Sequence, residues 1–539
     1  MSGEAALAET PNDGPLRLFL GVLHARRLNH GQAVPHLRRA ADLLPDSPLP
    51  KIELARALAG AGRPDEAEAA IAGLSAKGPV GCELAKIRSG VAEAHAVAGR
   101  GEASLASIRA QAGALPYDPA LRVAIARLED LLGRPEQAEA ALREALALDP
   151  GCAPALLALA DLAERGNRID ELEALLTKAA AAGIPAENRQ LLAARLFYRR
   201  GDLQGALAAA RAAPDRGDGG GRAELIGRIS DRNGDYEAAF AAFSEMNREA
   251  GSAVPDAQVQ ARAYREEIAG TARMVTPAWH RGWSAQPPCP ARPAPVFLLG
   301  FPRSGTTLLD TMLAGHDQVR VLEEKPVLEA AARALRDMAR LPDLAAWEVE
   351  ALQRLYYEAL DVAGGGSARV IIDKMPLALT WVPLIHRLFP QARIVFVERH
   401  PCDVVLGGFM ARFDPRGPMA NFLDLGDTAR LHDSVMDLWR TCRAVLPLNV
   451  QTVRYERLVA DPEAELRPVV DFLGLAWDDR LLDHSATASG RGHIGSSSYA
   501  QVTEPLHQRA RERWRRYRAQ LEPVLPLLAP WVEEMGYEL

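Results

Sequence analysis

The sequence predicts an α-helical solenoid followed by an α/β domain with a doubly wound parallel sheet. Apolar residues at helical spacing dominate residues 16 to about 250, where glycines recur roughly every 34 residues. From Val296 onward, short apolar runs typical of buried strands alternate with helical segments. The 539-residue chain is also too long for one hydrophobic core, so more than one domain is expected.

The composition of the chain argues against a nucleic-acid-binding, a membrane-spanning or a secreted protein. The net charge of −7 disfavours broad nucleic-acid binding, which needs a basic face. No stretch reaches 18 uninterrupted apolar residues, and no basic segment followed by an apolar run opens the sequence, so neither a membrane span nor a signal peptide is expected. The five scattered cysteines include no C-x-x-C pair, which favours reduced thiols and a cytoplasmic location.

The first domain, predicted over residues 1–250, is marked by a ladder of glycines that are each expected to close a helix. Its members are Gly31, Gly62, Gly99, Gly133, Gly166, Gly201 and Gly234. Helix–turn–helix units of this length resemble tetratricopeptide repeats (TPRs), and about six or seven units are expected. The resemblance implies a surface that binds a protein or peptide, either a partner or the acceptor substrate. A solenoid with a purely structural role is the alternative.

Residues 251–295 are predicted to be a linker with a proline-rich end and a further helix near Val259–Ile268. The second domain then covers residues 296–539. Its predicted strands are Val296–Gly300, Val370–Asp373, Ile394–Glu398 and Val450–Tyr455. Its predicted helices are Thr306–Ala314, Val327–Met338, Ala346–Val362, Trp381–Leu388, Asp403–Ala411, Asp424–Leu446 and Pro462–Leu473. Residues 319–322 are predicted to form a short turn.

A phosphate-binding loop is predicted directly after the first strand. Gly300 and Gly305 have the spacing of a P-loop, and a helix begins at Thr306, so backbone N–H groups and the helix dipole point at one anion site. Thr306 stands where nucleotide-hydrolysing P-loops carry lysine. The candidate binding residues of the loop are Arg303, Ser304, Gly305, Thr306 and Thr307.

Four chemically capable side chains follow the predicted strands. Arg303, Lys374, Arg399 and Tyr455 each lie at or just past the carboxyl end of a strand. Ligands of open parallel sheets bind beyond this edge, so we expect the four side chains to converge on one site.

Two motifs in a matching order resemble those of PAPS-dependent sulfotransferases, PAPS being 3′-phosphoadenosine 5′-phosphosulfate. The run from Phe301 to Thr307 is similar to the 5′-phosphosulfate loop of that family, and the run from Val397 to Val405 is similar to its 3′-phosphate motif. Residues 453–458 and a tail with Tyr499, Trp514 and Tyr517 match as well. The resemblance covers roughly residues 294–537, and this part is similar to the tyrosylprotein-sulfotransferase branch of the family. With the repeats included, the whole chain resembles bacterial TPR–sulfotransferase fusions.

The resemblance implies PAPS as the sulfuryl donor, a hydroxyl acceptor such as a peptide tyrosine, and in-line transfer without a metal. Arg303 would neutralise the sulfuryl oxygens, Lys374 would donate to the bridging oxygen, and Arg399 would hold the 3′-phosphate. Tyr455 would lie against the adenine, and Ser498 would help to hold the sulfuryl or phosphate end.

The catalytic base is assigned by spacing within the same resemblance. Glu324 lies 21 residues after Arg303, as the base does in the tyrosylprotein-sulfotransferase branch. Glu323 and His316 are the alternatives. Two departures concern the 3′-phosphate contacts, because Gly407 stands where the family has serine and Glu504 stands where it often has lysine.

Two other functions stay open at the level of sequence. A P-loop kinase or NTPase is disfavoured by Thr306 and by the second anion motif at Arg399. A non-catalytic TPR scaffold is favoured only by Gly407 and by Glu504.

Overall fold

The computed structural model describes residues 10–26, 29–72, 100–214, 220–252, 256–283, 294–366, 368–490 and 510–539, with a few short stretches between them. Ser498, Tyr499 and Glu504 lie outside the described residues. The chain divides into two compact units, Met1–Arg200 and Gly201–Leu539. The second unit therefore includes the last helices of the predicted repeat domain.

Helix pairs build the first unit. Its helices are α1 (Gly14–Arg26), α2 (His30–Leu43), α3 (Pro48–Gly60), α4 (Pro64–Ile71), α5 (Gly101–Ala114), α6 (Pro119–Leu131), α7 (Pro135–Leu148), α8 (Ala153–Arg165), α9 (Ile169–Ala181) and α10 (Ala186–Arg200). Several begin with proline at the first position, where the missing N–H would have no helical partner anyway.

The glycine ladder closes helices at most of its described positions. Gly62 and Gly133 follow α3 and α6 with φ of 71° and 74°, a left-handed conformation that glycine adopts without a steric penalty. Gly31 is an exception, because it lies in the first turn of α2, and the prediction that it closes a helix is wrong. Gly99 lies outside the described residues.

The second unit begins with helices that precede the sheet. They are α11 (Leu203–Ala212), α12 (Gly221–Arg232), α13 (Tyr236–Ser252), α14 (Ala257–Met274) and α15 (Pro277–Arg281). The helix predicted near Val259–Ile268 is confirmed as the central part of α14.

Within the described residues, the strands are β1 (Val296–Gly300), β2 (Val319–Glu323), β3 (Val370–Lys374), β4 (Arg393–Glu398) and β5 (Asn449–Arg454). They form one parallel sheet in the order β2-β3-β1-β4-β5. The helices that follow are α16 (Thr306–Leu313), α17 (Val327–Leu335), α18 (Ala346–Val362), α19 (Val382–Leu388), α20 (Pro401–Phe409), α21 (Leu425–Val445), α22 (Tyr455–Leu458), α23 (Pro462–Leu473), α24 (His484–Gly490), α25 (Arg518–Leu521) and α26 (Leu525–Glu534). The predicted doubly wound parallel sheet is confirmed.

Strand β2 corrects one prediction, because residues 319–322 form a strand and not a turn. It is an edge strand with a largely half-buried pattern, so it lacks the continuous apolar run by which the other strands were found. A second correction concerns Tyr455, which opens α22 where the last residue of a strand was predicted. A third concerns α17, which ends at Leu335 rather than Met338.

Helices cover both faces of the sheet. In β1, Val296 and Leu298 pack in the hydrophobic cluster that contains residues of α16 and α23. Phe297 and Leu299 pack on the opposite face with residues of α18, α19 and α21. Every residue of β1 is buried for this reason, as expected for the central strand of a two-sided parallel sheet.

Two further features concern the chain as a whole. Within the described ranges, every helix falls short of the length and hydropathy that a membrane crossing requires. Cys152, Cys402 and Cys442 are buried free thiols.

Candidate active site

The carboxyl edge of the sheet carries polar side chains from one side to the other. Glu323 ends β2, Lys374 ends β3, and Arg399 and Tyr455 directly follow β4 and β5. The loop that holds Arg303 follows β1 at the centre of this row. Since neighbouring strands lie about 4.8 Å apart, the five strand ends span roughly 19 Å.

The loop after β1 is shaped by close backbone contacts. Gly305 has φ of +107°, and a Cβ there would lie 2.4 Å from Cδ2 of Tyr455. A Cβ on Gly300 would lie 2.7 Å from Ser304 Oγ and 2.8 Å from the carbonyl oxygen of Val397. The loop then enters α16 at Thr306, so the amino-terminal end of that helix lies at the centre of the row.

Two positions in the loop are chemically unusual. Arg303 has φ of +73°, a conformation that non-glycine residues adopt at a cost and that often occurs at functional sites. The hydroxyl of Ser304 is buried and has no hydrogen-bond partner among the described residues. An oxyanion bound in the loop would satisfy such a donor.

A cluster of positive charge lies between the loop, β4 and β5. Arg399 donates from Nη1 to the carbonyl oxygen of Arg303 over 3.0 Å, and its guanidinium lies 4.3 Å from the ring centre of Tyr455. Burial, followed by the positive charges of Arg399 and Arg513, lowers the pKa of Arg303 to about 10. The predicted side chains Arg303, Arg399 and Tyr455 are therefore brought together on this side of the row.

The carboxyl-terminal segment, residues 510–539, contacts the same cluster of positive charge. The Nη2 group of Arg399 also donates to the carbonyl oxygen of Ala510. The backbone N–H of Trp514 donates to Oδ1 of Asp403 at the start of α20 over 2.8 Å. Asp403 lies 3.8 Å from Arg399, and burial raises the pKa of its carboxyl group in spite of that neighbour.

On the other side of the row, three carboxylates lie close to the ammonium group of Lys374. Its Nζ lies 2.8 Å from Glu324 Oε1, 3.3 Å from Glu323 Oε1 and 3.3 Å from Asp310 Oδ2. The side chains of Lys374 and Asp310 are fully buried. Burial alone would lower the pKa of Lys374, but the three carboxylates raise it above its usual value.

The strand register explains why these groups meet. Glu323 and Lys374 are direct neighbours on β2 and β3, so their side chains share one face of the sheet. Glu324, the next residue, has φ of +49° and donates its backbone N–H to the carbonyl oxygen of Lys374 over 2.8 Å. Its side chain is 42% exposed against 11% for Glu323, so Glu324 is the carboxylate that a bound substrate could reach.

Asp310 is a member of this group that the sequence reading missed. It is the only ionisable residue in the otherwise uncharged helix α16. A lone carboxylate in a fully buried helix implies a buried cation, and that signal was present in the sequence.

His316, the alternative base, is engaged elsewhere. Its Nδ1 accepts from the backbone N–H of Gln318, and its Nε2 bonds to the carbonyl oxygen of Ala476, each over 3.1 Å. A ring with both nitrogens bonded to backbone has no lone pair available to take a substrate proton.

Gly407 occupies the position where the family motif has serine. It lies in α20, and a Cβ there would lie 3.3 Å from Cβ of Arg303. The glycine therefore gives the Arg303 side chain room to pass close to α20.

Comparison with known proteins identifies both parts of the chain. Residues 295–479 match the model of a family described as the sulfotransferase family. Residues 29–89 and 119–162 match two tetratricopeptide repeat models. The chain thus carries a sulfotransferase domain preceded by TPRs, which confirms the resemblance stated from the sequence.

Individual relatives cover parts of the chain. An uncharacterised protein of Aquifex aeolicus is 26% identical over 321 residues, which are 56% of this chain and 40% of that protein. Protein-tyrosine sulfotransferase 1 of Danio rerio is 24% identical over 258 residues, 45% of this chain and 72% of its own length. A solved sulfotransferase domain from the olefin synthase of Synechococcus PCC 7002 is 24% identical, with a TM-score of 0.30 over 47% of this chain and all of that domain.

Proposed function

We propose that this protein transfers the sulfuryl group of PAPS to a hydroxyl acceptor, with Glu324 as the catalytic base. One observation carries the proposal: a cationic cluster and a lysine–carboxylate cluster flank the same phosphate-binding loop at one edge of the sheet. A doubly anionic donor fits the first cluster, and deprotonation of an acceptor fits the second.

The loop and its arginines have the properties that a PAPS site needs. Side chains at Gly300 and Gly305 would collide with Ser304, Val397 and Tyr455, so only glycine allows the tight backbone path of the loop. The buried Ser304 hydroxyl lacks a hydrogen-bond partner among the described residues, which a bound oxyanion would provide. Burial, and after it the positive charges of Arg399 and Arg513, lowers the pKa of Arg303, and a bound phosphate or sulfate would compensate both effects. Arg303 and the loop, including Thr306 and Thr307, would hold the phosphosulfate end.

Arg399 and Tyr455 would hold the opposite end of the nucleotide. The guanidinium of Arg399 offers planar donors to a 3′-phosphate, and the Tyr455 ring offers a face to adenine. Ser498 stays a proposed contact of the sulfuryl or phosphate end.

In the transfer step, the acceptor hydroxyl gives its proton to Glu324 while its oxygen forms a bond to sulfur. The bond from sulfur to the bridging oxygen breaks, and the negative charge that develops there is stabilised by Lys374 and Arg303. PAPS supplies the activated sulfuryl group, so the protein has only to position the groups and balance their charge.

The ion pair between Lys374 and Glu324 couples these two events. At rest, Lys374 Nζ donates hydrogen bonds to Glu324 and Glu323, and Asp310 Oδ2 lies 3.3 Å from the same ammonium group. When Glu324 becomes protonated, its attraction for Lys374 falls, and one N–H of the ammonium becomes available to the bridging oxygen. The base, Glu324, therefore acts first, and the donor, Lys374, acts after it.

Titration calorimetry with adenosine 3′,5′-bisphosphate tests the donor site. We expect binding without magnesium, whereas magnesium-dependent binding of ATP would favour a kinase or NTPase, and binding of neither would favour a scaffold. Transfer is then measured with radiolabelled PAPS and tyrosine-containing peptides. Arg303→Ala should lower turnover by roughly 10²–10³-fold, as loss of one transition-state donor does, with the exposed Arg354→Ala as the control.

The repeats would supply the acceptor or a partner. TPR arrays present extended surfaces that bind peptides and proteins, so we propose a protein or peptide ligand for α1–α10. Transfer of label from PAPS to the proteins of a lysate, with and without the first 200 residues of the chain, would reveal whether that segment selects the acceptor.

A further inference from the structure

The guanidinium group of Arg399 is held between two backbone carbonyl groups. Its Nη1 donates to the carbonyl oxygen of Arg303 in the phosphate-binding loop over 3.0 Å, and its Nη2 donates to that of Ala510. Its Nε is buried and lacks a hydrogen-bond partner among the described residues. Because a guanidinium carries all its N–H groups in one rigid plane, the two carbonyl groups set the direction in which the remaining donors point.

Residues 510–517 must therefore be held in place if this guanidinium is to keep its orientation. Arg513–Tyr517 form a short 3₁₀ helix, and the fully buried Trp514 attaches it to the start of α20. The ring of Trp514 stacks on that of His400 with centres 5.0 Å apart, and its backbone N–H donates to Asp403 over 2.8 Å. This attachment fixes one point, about which a short peptide could still pivot.

Asp231 of α12 supplies a second attachment. Its Oδ2 lies 3.0 Å from Nη2 of Arg513. Its Oδ1 accepts hydrogen bonds from Nε of Arg513 over 3.2 Å and from the hydroxyl of Tyr517 over 2.6 Å. The side chains of Asp231 and Arg513 are only 19% and 22% exposed, so solvent screens their charges less than those of a surface ion pair. One carboxylate thus holds the 3₁₀ helix on both sides of Trp514.

The helix that carries Asp231 does not itself explain the residue. Asp231 lies in the last turn of α12, where the helix dipole disfavours a negative charge. Helix α12 ends 64 residues before β1 but belongs to the same compact unit as the sheet. The stabilising contacts of this carboxylate are therefore those that it makes to the carboxyl-terminal segment.

Helix α13 fixes the position of α12 relative to α20. The first two helices approach closely at Gly227, where a Cβ would lie 2.9 Å from the ring of Phe243. The Asn247 side chain of α13 donates to the carbonyl oxygen of Phe409 over 2.9 Å, and the rings of Phe240 and Phe409 stack with centres 5.0 Å apart. Helix α12 therefore provides a fixed support for the carboxyl-terminal segment.

We propose that Asp231 is a positioning residue for the donor site: by holding residues 510–517 in place, it orients Arg399 toward the 3′-phosphate of the nucleotide. This inference rests on the proposed use of PAPS and on the proposed contact between Arg399 and the 3′-phosphate. It makes α12, a helix outside the sulfotransferase motifs, part of the support of the donor site.

Removal of the Asp231 charge has two effects of opposite sign. Without the carboxylate, the positive charge of Arg513 is less compensated, which by itself would strengthen the binding of an anionic nucleotide. Loss of positioning would weaken that binding, because Arg399 would no longer be held toward the phosphate. The direction of the change in affinity therefore distinguishes positioning from a simple effect of charge.

Titration calorimetry on the full chain measures this direction. Asp231→Asn should weaken the binding of adenosine 3′,5′-bisphosphate by about five- to tenfold, somewhat less than the loss of one hydrogen bond to a charged group. The affinity for adenosine 5′-phosphate, which lacks the 3′-phosphate, should change less than about twofold, because the contact to Arg399 is absent there. Asp235→Asn is the matched control, because it removes the same charge from an exposed residue four positions further on, where the amide oxygen can still cap α13. It should leave both affinities unchanged.

Each other outcome has a definite meaning. An unchanged or strengthened bisphosphate affinity in Asp231→Asn overturns the inference and leaves the proposed function intact. Equal weakening of both nucleotides also overturns it, because the effect then does not lie at the 3′-phosphate. A wild-type chain that binds neither nucleotide overturns the proposed function itself. If Asp231→Asn does not fold, as judged by circular dichroism, Tyr517→Phe decides: it removes one hydrogen bond to Asp231 and should weaken the bisphosphate about threefold, and an unchanged affinity in it counts against the inference.

Discussion

The ammonium group of Lys374 lies 2.8 Å from Oε1 of Glu324, and it joins a fully buried Asp310 to a carboxylate that reaches solvent. One side chain therefore connects the interior of the domain to its reactive edge. Lys374 ends β3 and Glu324 directly follows the neighbouring strand β2, so the strand register sets the geometry of this pair.

Replacement of this lysine should affect turnover and stability separately. Lys374→Ala is expected to lower the rate of sulfuryl transfer by roughly 10²–10³-fold, because one donor to the developing charge is lost. It should also lower the free energy of unfolding by about 3–5 kcal/mol, because Asp310 stays buried without its cation.

The double variant Asp310→Ala/Lys374→Ala distinguishes the two effects. It should recover much of the stability, measured by urea denaturation, but none of the turnover. Lys325→Ala, at an exposed neighbouring lysine, should change neither. Full activity in Lys374→Ala would refute the role assigned to this residue.

The two adjacent glutamates should behave differently. Glu324→Gln should abolish transfer while the affinity for adenosine 3′,5′-bisphosphate stays within twofold, because the amide cannot accept the acceptor's proton and lies away from the arginine cluster. Glu323→Gln, at the less exposed carboxylate of the same lysine, should retain most of the activity. If the two results are exchanged, the base is Glu323.

Much of the fold could be predicted from the sequence. Strands β1, β3 and β4 are continuous apolar runs because helices cover both of their faces. Such a run can be recognised as a buried strand from its own sequence, without knowledge of the neighbouring strands. Strand β2 was missed because it lies at the sheet edge, where Arg320 is exposed and only Leu322 is buried. The alternation of Val319 and Val321 with polar residues was the available signal.

The site could be predicted only in part. Arg303, Lys374 and Arg399 follow strands, and the topological rule for parallel sheets was enough to expect them at one edge. Arg303 and Arg399 form one group, and Lys374 with its carboxylates forms another. This division depends on the order of the strands in the sheet, which cannot be read from a single motif. Asp310 belongs to none of the motifs, and its partner Lys374 is distant in sequence and is brought to it by tertiary packing.

Asp373 should make stability depend on pH. It lies on the opposite sheet face from Lys374, where it accepts a hydrogen bond of 2.9 Å from the Tyr356 hydroxyl. Burial raises the pKa of Asp373 to about 7, and the Tyr356 hydrogen bond opposes the shift only in part. The folded protein therefore keeps a proton on Asp373 that the unfolded chain loses near pH 4. The contribution of this proton to the free energy of unfolding is complete below pH 4 and is lost as the pH rises to 7.

The measurement is urea denaturation of wild type and Asp373→Asn at pH 5 and pH 7. The free energy of unfolding of the variant relative to wild type should rise by on the order of 2 kcal/mol between these values, at about 1.4 kcal/mol per pH unit. Asp361→Asn is the control, because its exposed carboxyl has a lowered pKa and titrates below this window. A pH-independent difference for Asp373→Asn would contradict the raised pKa.

Gly305→Ala should disable the nucleotide loop without unfolding the domain. The added methyl would lie 2.4 Å from Cδ2 of Tyr455, and φ of +107° is a conformation that alanine adopts only under strain. Either the loop or the Tyr455 ring must move, and movement of the ring also disturbs Arg399, whose guanidinium lies 4.3 Å from its centre. We therefore expect the Kd for adenosine 3′,5′-bisphosphate to rise at least tenfold, as measured by titration calorimetry. Gly270→Ala provides the control, because the added methyl, in the carboxyl-terminal part of α14, would meet no atom closer than 4.0 Å. Wild-type affinity in Gly305→Ala would mean that the loop does not form the anion site.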